Sequence, residues 1–198
     1  MMKGLLPFRR AGLDQLSDEA LITACAGGDN SALEELFRRH GDRVYRVLGR
    51  LGHVERRDLE DMVQATFVAV KRSAGRFGAR SAAATWIIGI ALNVARHHER
   101  GQVRHRVAMA AVAEIQATSH GRGPEEQASQ RQLLGRLQVA LEELPSDLRT
   151  VFVLCDLEGL RGVDVARVLT VPQGTVWRRL HEARTLLRRS VDGDGEPK

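Results

Sequence analysis

The chain has 198 residues, of which 43% are hydrophobic, 28% charged and only 4% aromatic. That is a soluble globular composition whose cores must come from Leu, Val, Ala and Ile, which suits helices. A net charge of +5 favours an anionic partner, and the two cysteines, Cys25 and Cys155, form no CxxC pair, so neither a disulfide framework nor a zinc site is indicated.

The opening MMKGLLPFRR is too short in its apolar run for a signal peptide, and Pro7 interrupts it. No stretch reaches membrane-spanning length. A cytoplasmic protein with no membrane insertion is expected. Residues 1–13 read as a basic tail. Ser17 is placed to cap a first helix with Ala20, Leu21, Ala24 and Cys25 on one face, ended by Gly27-Gly28. Asp29 or Asn30 caps a second, which buries Leu33, Leu36, Phe37, Val44, Leu48 and Leu51. A third starts near Arg57 with the cleanest period in the chain: Leu59, Met62, Val63, Thr66, Phe67 and Val70 inward, Asp58, Glu60, Asp61 and Gln64 outward. The loop from Ser73 to Arg80 leads to a fourth helix, from Ser81 or Ala82 past Arg100. It buries Ile87, Ile90, Ala91, Val94 and part of His98, and sets Thr85, Gly89, Arg96 and Arg100 opposite, with Asn93 beside them. Arg104 and Arg106 make its end basic, which serves a helix dipole as well as a polyanion.

Periodicity stops in QATSHGRGPEE, which gathers Gly, Ser, Thr and Pro. The spacing predicts an all-α chain of two small helical domains, 14–115 and 129–192, joined by a flexible linker at 116–128 and followed by a tail at 193–198. The second domain opens with a helix carrying Leu133, Leu134, Leu137, Ala140, Leu141 and Leu144. After Pro145, with Ser146 as N-cap, comes a short helix with Leu148, Val151, Phe152 and Cys155, broken at Gly159. Gly162 to Leu169 makes another, with Val165, Ala166 and Leu169 turned inward, and Thr170-Val171-Pro172 is the turn of a helix-turn-helix. On the last helix Val176, Leu180, Ala183 and Leu187 share a narrow arc, with Arg178, His181, Glu182, Thr185 and Arg189 opposite and Arg179 and Arg184 at the edges. A buried seam, an outward polar arc and flanking cations suit a helix in a DNA major groove; an ordinary basic solvated helix is the bland alternative.

Three stretches in order then resemble the extracytoplasmic-function (ECF) group of bacterial sigma factors. DLEDMVQATFVAVKRSAGRF is similar to the family's polymerase-clamp helix, usually close to DLVQETFLRVW, and TWIIGIALNVARHHER to its promoter-opening helix. The run from Ala140 to Arg189, with Leu144-Pro145, Gly174-Thr175-Val176 and RLHEAR, resembles its C-terminal domain. The resemblance implies a protein that binds core RNA polymerase and promoter DNA, takes no cofactor or metal, catalyses nothing itself, serves a stress or envelope-response regulon and is held by an anti-sigma factor. It implies a polymerase contact at Asp58, Asp61, Met62, Val63 and Gln64. Single-stranded minus-ten DNA would meet Arg76, Phe77, Arg80, Thr85, Trp86, Asn93, Arg96 and Arg100. Duplex minus-thirty-five DNA would meet Gln173, Thr175, Trp177, Arg178, Arg179, His181, Glu182 and Arg184.

The chain departs from the family's pattern in places. Gly89 and Leu92 stand where arginine is common, His97 where an acid is, and Thr170 where the turn usually has glycine. Trp177 replaces a frequent lysine or arginine, and Glu182 a frequent arginine. The rivals fare worse on the residues. A free-standing helix-turn-helix regulator leaves the helix from Asp58 to Phe67 without work, and a helical protein-binding adaptor leaves the outward basic face without work. An enzyme would have to be built on His97, His98 and His105, which point apart and have no carboxylate constellation beside them.

Overall fold

A computed structural model describes residues 12–52, 58–110 and 139–192, with the backbone alone at 101–110, 191 and 192. Most of the basic tail, Arg57, the linker at 116–128, the face formed by Leu133, Leu134 and Leu137, and the tail at 193–198 lie outside the described residues. Among the described residues every regular element is helical, as expected. The described residues divide into two compact units, one holding 12–48 and 58–94, the other 49–52, 95–110 and 139–192.

In the first unit, α1 spans Asp18–Ala26. Ser17 caps it by accepting from the Ala20 amide at 3.2 Å, while Asp18 and Glu19 complement the helix dipole. Helix α2 runs Asn30–Leu51, and the Asp29 carboxylate accepts from the Ser31 amide at 2.9 Å. The chain before α1 is tied to α2 by Arg39, which donates to the backbone oxygens of Leu13, Asp14 and Leu16 and to the Asp18 carboxylate. Glu35 orients that guanidinium, and hydrogen bonds from Arg38 and then Arg39 hold its carboxyl at about 2. Helix α3, Leu59–Ser73, buries Leu59, Met62, Val63, Thr66, Phe67 and Val70, the face its periodicity predicts. Thr66 satisfies its hydroxyl by donating to the Met62 carbonyl at 2.8 Å.

Helix α4, Ala83–Ala110, differs from expectation. Its buried residues are Ala83, Thr85, Ile87, Ile88, Ala91, Leu92 and Ala95, which cover more than half of the circumference. Ile90, Val94 and His98 are only half-buried, and Thr85, expected outward, is 4% exposed. A helix with neighbours on several sides buries more than one stripe, so period alone misplaces its polar face.

In the second unit, α5 is described over 139–143, followed by α6, Ser146–Phe152, α7, Gly162–Leu169, and α8, Gln173–Asp192. Pro145 takes the cap position and Ser146 is the first helical residue, making no side-chain cap, a shift of one residue from expectation. Helix α6 continues into a π-helical turn, Val153–Leu157, where the Glu158 amide reaches back to the Val153 carbonyl. That wide turn rotates the register: Val153 and Leu154 are buried, and Phe152 and Cys155, expected inward, are half-buried. Ala140, Leu144, Leu148, Ala183 and Leu187 form one core cluster. Arg149, 8% exposed, donates to the Leu144 carbonyl at 2.9 Å and to that of Glu142, satisfying orphan carbonyls at the end of α5.

Candidate DNA and polymerase interfaces

The helix-turn-helix is built by α7, a tight turn and α8. The turn closes α7 with a Schellman pair, Thr170 amide to Arg167 carbonyl and Val171 amide to Ala166 carbonyl. Thr170 takes the left-handed conformation that glycine usually supplies, at φ 57°. On α8 the seam is buried as expected: Val176 0%, Leu180 2%, Ala183 0% and Leu187 5% exposed. Gln173, His181 and Glu182 are exposed and Thr175 is half-buried. Trp177 leaves half its surface open, and Gly162 is its seat on α7.

The four arginine and glutamate side chains proposed for this helix differ in their intramolecular engagements. Arg178 reaches out with a side chain 70% exposed and stands 3.9 Å from Glu182, too far for a hydrogen bond. Arg179 is turned inward and lies 3.0 Å from the Asp147 carboxylate on α6. Arg184 makes a two-pronged pair with Asp156, at 2.6 and 2.8 Å, while keeping half its side chain exposed. These two pairs tie both edges of the recognition helix to α6 and the π turn. They also mean that Arg179 and Arg184 would approach phosphates already partly neutralised. The Cys155 thiol beside this pair is raised above its ordinary value by burial and then by Asp156.

In the first unit, the chain from Gly75 to Ser81 projects Arg76 and Arg80 into solvent. Phe77 anchors it by packing on Trp86, ring centres 5.1 Å apart and tilted by 56°. Ala79 holds a left-handed φ of 51° at the tip, a conformation that alanine adopts only at some cost. Trp86, Asn93, Arg96 and Arg100 share the outer side of α4, with Asn93 and Arg100 exposed and Trp86 and Arg96 half-buried. Thr85 is not with them.

The acidic start of α3 exposes Asp61 and Gln64 and half-buries Asp58. Met62 and Val63 are 4% and 6% exposed, so their first work is packing. Val63 nevertheless lines a groove of about 460 Å³ between α2 and α3. Phe37, Arg38, Gly41, Asp42 and Tyr45 line it from α2, and Glu60 and Gln64 from α3. Phe37, expected in the core, is 45% exposed, resting edge-on against Phe67 at 4.9 Å. The sequence signal for this groove was Gly41. A glycine inside a helix costs about 1 kcal/mol relative to alanine, and it sits midway between two aromatics at four-residue steps. Among the described residues no group of His, Cys, Asp and Glu could hold a metal ion, and no helix is long and apolar enough to cross a membrane.

Known proteins bear the same two patterns. The profile described as Sigma-70 region 2 matches residues 36–105, and that described as Sigma-70, region 4 matches residues 134–187. The chain is 32% identical over 185 residues to the ECF RNA polymerase sigma-E factor of Haemophilus influenzae, covering 90% of this chain and 97% of that one. It is 36% identical over 179 residues to the ECF RNA polymerase sigma factor SigE of Mycolicibacterium smegmatis, covering 87% and 68%. Among solved structures it resembles CnrH in complex with the cytosolic domain of CnrY, with a TM-score of 0.64 at 25% identity over 90% of this chain and 99% of that one. The sigma factor RpoE of Bartonella quintana, in complex with the anti-sigma factor NepR, shares the fold at a TM-score of 0.65 and 20% identity, over 81% and 97%. Both halves are matched in order along nearly the whole chain, and the protein belongs to the ECF group of sigma-70 RNA polymerase sigma factors.

Proposed function

We propose that this sigma factor divides promoter recognition among three surfaces. The groove between α2 and α3, lined by Phe37, Tyr45 and Val63 with Asp42 and Glu60, docks core RNA polymerase together with the exposed Asp61 at the start of α3. The segment from Gly75 to Ser81 and the outer side of α4 hold the melted minus-ten strand, Arg76, Arg80, Arg96 and Arg100 meeting phosphates and Trp86 and Phe77 offering ring surface. Helix α8 reads the minus-thirty-five element as duplex, through Arg178 and its exposed neighbours. The observation that carries this reading is the coexistence of a helix-turn-helix with an outward basic arc and, on other helices, a groove lined by Phe37, Tyr45 and Val63 beside the acidic start of α3. A free-standing regulator has no use for the groove.

The chain supplies binding and positioning, and the nucleotidyl transfer belongs to the polymerase, so no catalytic residue, metal or cofactor is assigned to it. It acts where the polymerase acts, in the cytoplasm, and an anti-sigma factor is its natural antagonist. A stress or envelope-response regulon fits that control. Run-off transcription with purified core polymerase tests the scheme, with Asp61→Arg as the probe. The exposed position of Asp61 leaves the fold intact, so the variant should melt like the wild type while its core affinity falls by about tenfold or more. Unchanged core affinity would remove the acidic start of α3 from the assignment.

A further inference from the structure

Trp177 is an exposed, largely apolar side chain on the helix proposed to read duplex DNA. It is one of two tryptophans in the chain, and it keeps 50% of its surface exposed on a helix whose seam is otherwise fully buried. It is not loose. Its six-membered ring lies against Gly162, the first residue of α7, so closely that a Cβ at 162 would stand 2.6 Å from Cζ2, 3.0 Å from Cη2 and 3.1 Å from Cε2. Gly162 has no positive φ to require glycine, so what it supplies is room for the indole. Trp177 lies one turn after Gln173 and one turn before His181, on the side of α8 that faces the start of α7, beside the outward arc of Arg178 and Glu182.

A large apolar surface seated rigidly at the border of a groove-reading face has a specific partner in duplex DNA. It cannot donate to or accept from a base edge except through its one N–H. It can cover the C5-methyl group that only thymine carries into the major groove. We propose that Trp177, held by Gly162, reads the methyl group of one thymine in the minus-thirty-five element, and that Gly162 is a positioning residue for that contact. This rests on α8 being the duplex-reading helix. It assigns to an apolar contact a position where a cation would offer only charge. A phosphate contact is insensitive to sequence, whereas a methyl contact is lost at every other base.

The test uses holoenzyme. A randomised minus-thirty-five library first gives the preferred element, and each thymine in it, on either strand, is then replaced by deoxyuridine, which deletes the methyl group alone. For the wild type, one replacement should weaken promoter binding about fourfold, the worth of burying one methyl group. Holoenzyme carrying Trp177→Ala should bind thymine and deoxyuridine promoters equally. Gly162→Ala should behave like Trp177→Ala, because the added Cβ displaces the indole, and circular dichroism should show both variants folded. Trp177→Lys should lose the methyl effect and steepen the salt dependence of binding. A wild-type holoenzyme that selects its promoter but is indifferent to every methyl group overturns the inference. So does a methyl effect that persists in Trp177→Ala. A wild-type holoenzyme that selects no element at all would instead remove the role given to α8.

Discussion

Helices α4 and α8 carry most of the side chains proposed to touch DNA, yet they are buried in opposite ways. Helix α8 sinks one stripe, Val176, Leu180, Ala183 and Leu187, and leaves the rest of its circumference to solvent or to edge pairs. Helix α4 sinks three rows, and its outer face is a narrow strip through Trp86, Asn93 and Arg100. Angular position therefore gives the exposed arc of α8 correctly and misleads on α4, where Thr85 counts as outward by period and is buried by packing. A sequence displays the period of a helix but not the number of its neighbours.

The two helices should differ most at Thr85 of α4 and His181 of α8, one buried and one exposed. Thr85→Lys places an unpaired charge in the core of the first unit and should cost about 3 kcal/mol of stability, read as a drop in the melting temperature. The matching substitution on the other helix, His181→Lys, should stay within about 0.5 kcal/mol, because His181 is exposed. Equal tolerance at both positions would mean that α4 presents Thr85 after all.

A smaller effect separates the partners on the outer arc of α8. Arg178→Ala should cost promoter binding about 1–3 kcal/mol and lose discrimination at one base pair. Glu182 stands 3.9 Å from Arg178, too far to lock it by a hydrogen bond, and a carboxylate repels phosphates. Glu182→Ala should thus bind as tightly or slightly more tightly, while base preference at one or two positions relaxes. Identical base preferences from library selections with wild-type and Glu182→Ala holoenzyme would mean that this carboxylate faces away from the groove.

The smallest effect lies in the turn between α7 and α8. Thr170 is β-branched and left-handed where the Schellman closure favours glycine. Thr170→Gly should stabilise the second unit by about 1 kcal/mol, measured by denaturant unfolding, with promoter selection unchanged. A loss of stability would mean that the threonine side chain contributes more than its backbone strain costs.

Much of the architecture was legible beforehand because it rests on local chemistry. Ser17 and Asp29 cap as their side chains allow, the buried face of α3 is the one its period gives, and the seam of α8 is the narrow apolar arc its spacing gives. The misses have local causes too. The run Val151 to Cys155 is apolar throughout, so nothing in it marks the π turn that carries Phe152 and Cys155 away from the core. Phe37 falls on the expected buried stripe, and only the groove beside Gly41 explains its exposure. Arg179 and Arg184 are legible as cations, but their pairing with Asp147 and Asp156 is tertiary.

The reading helix and the polymerase groove are proposed to work as one device, so that specificity appears only when both are engaged. Promoter titration with the free protein and with holoenzyme, at one salt concentration and against a scrambled duplex, tests it most directly. The free protein should bind both duplexes weakly, with no more than a slight preference, and holoenzyme should prefer the promoter by about a thousandfold or more. Tight promoter-specific binding by the free protein, unaltered by core polymerase, would contradict it.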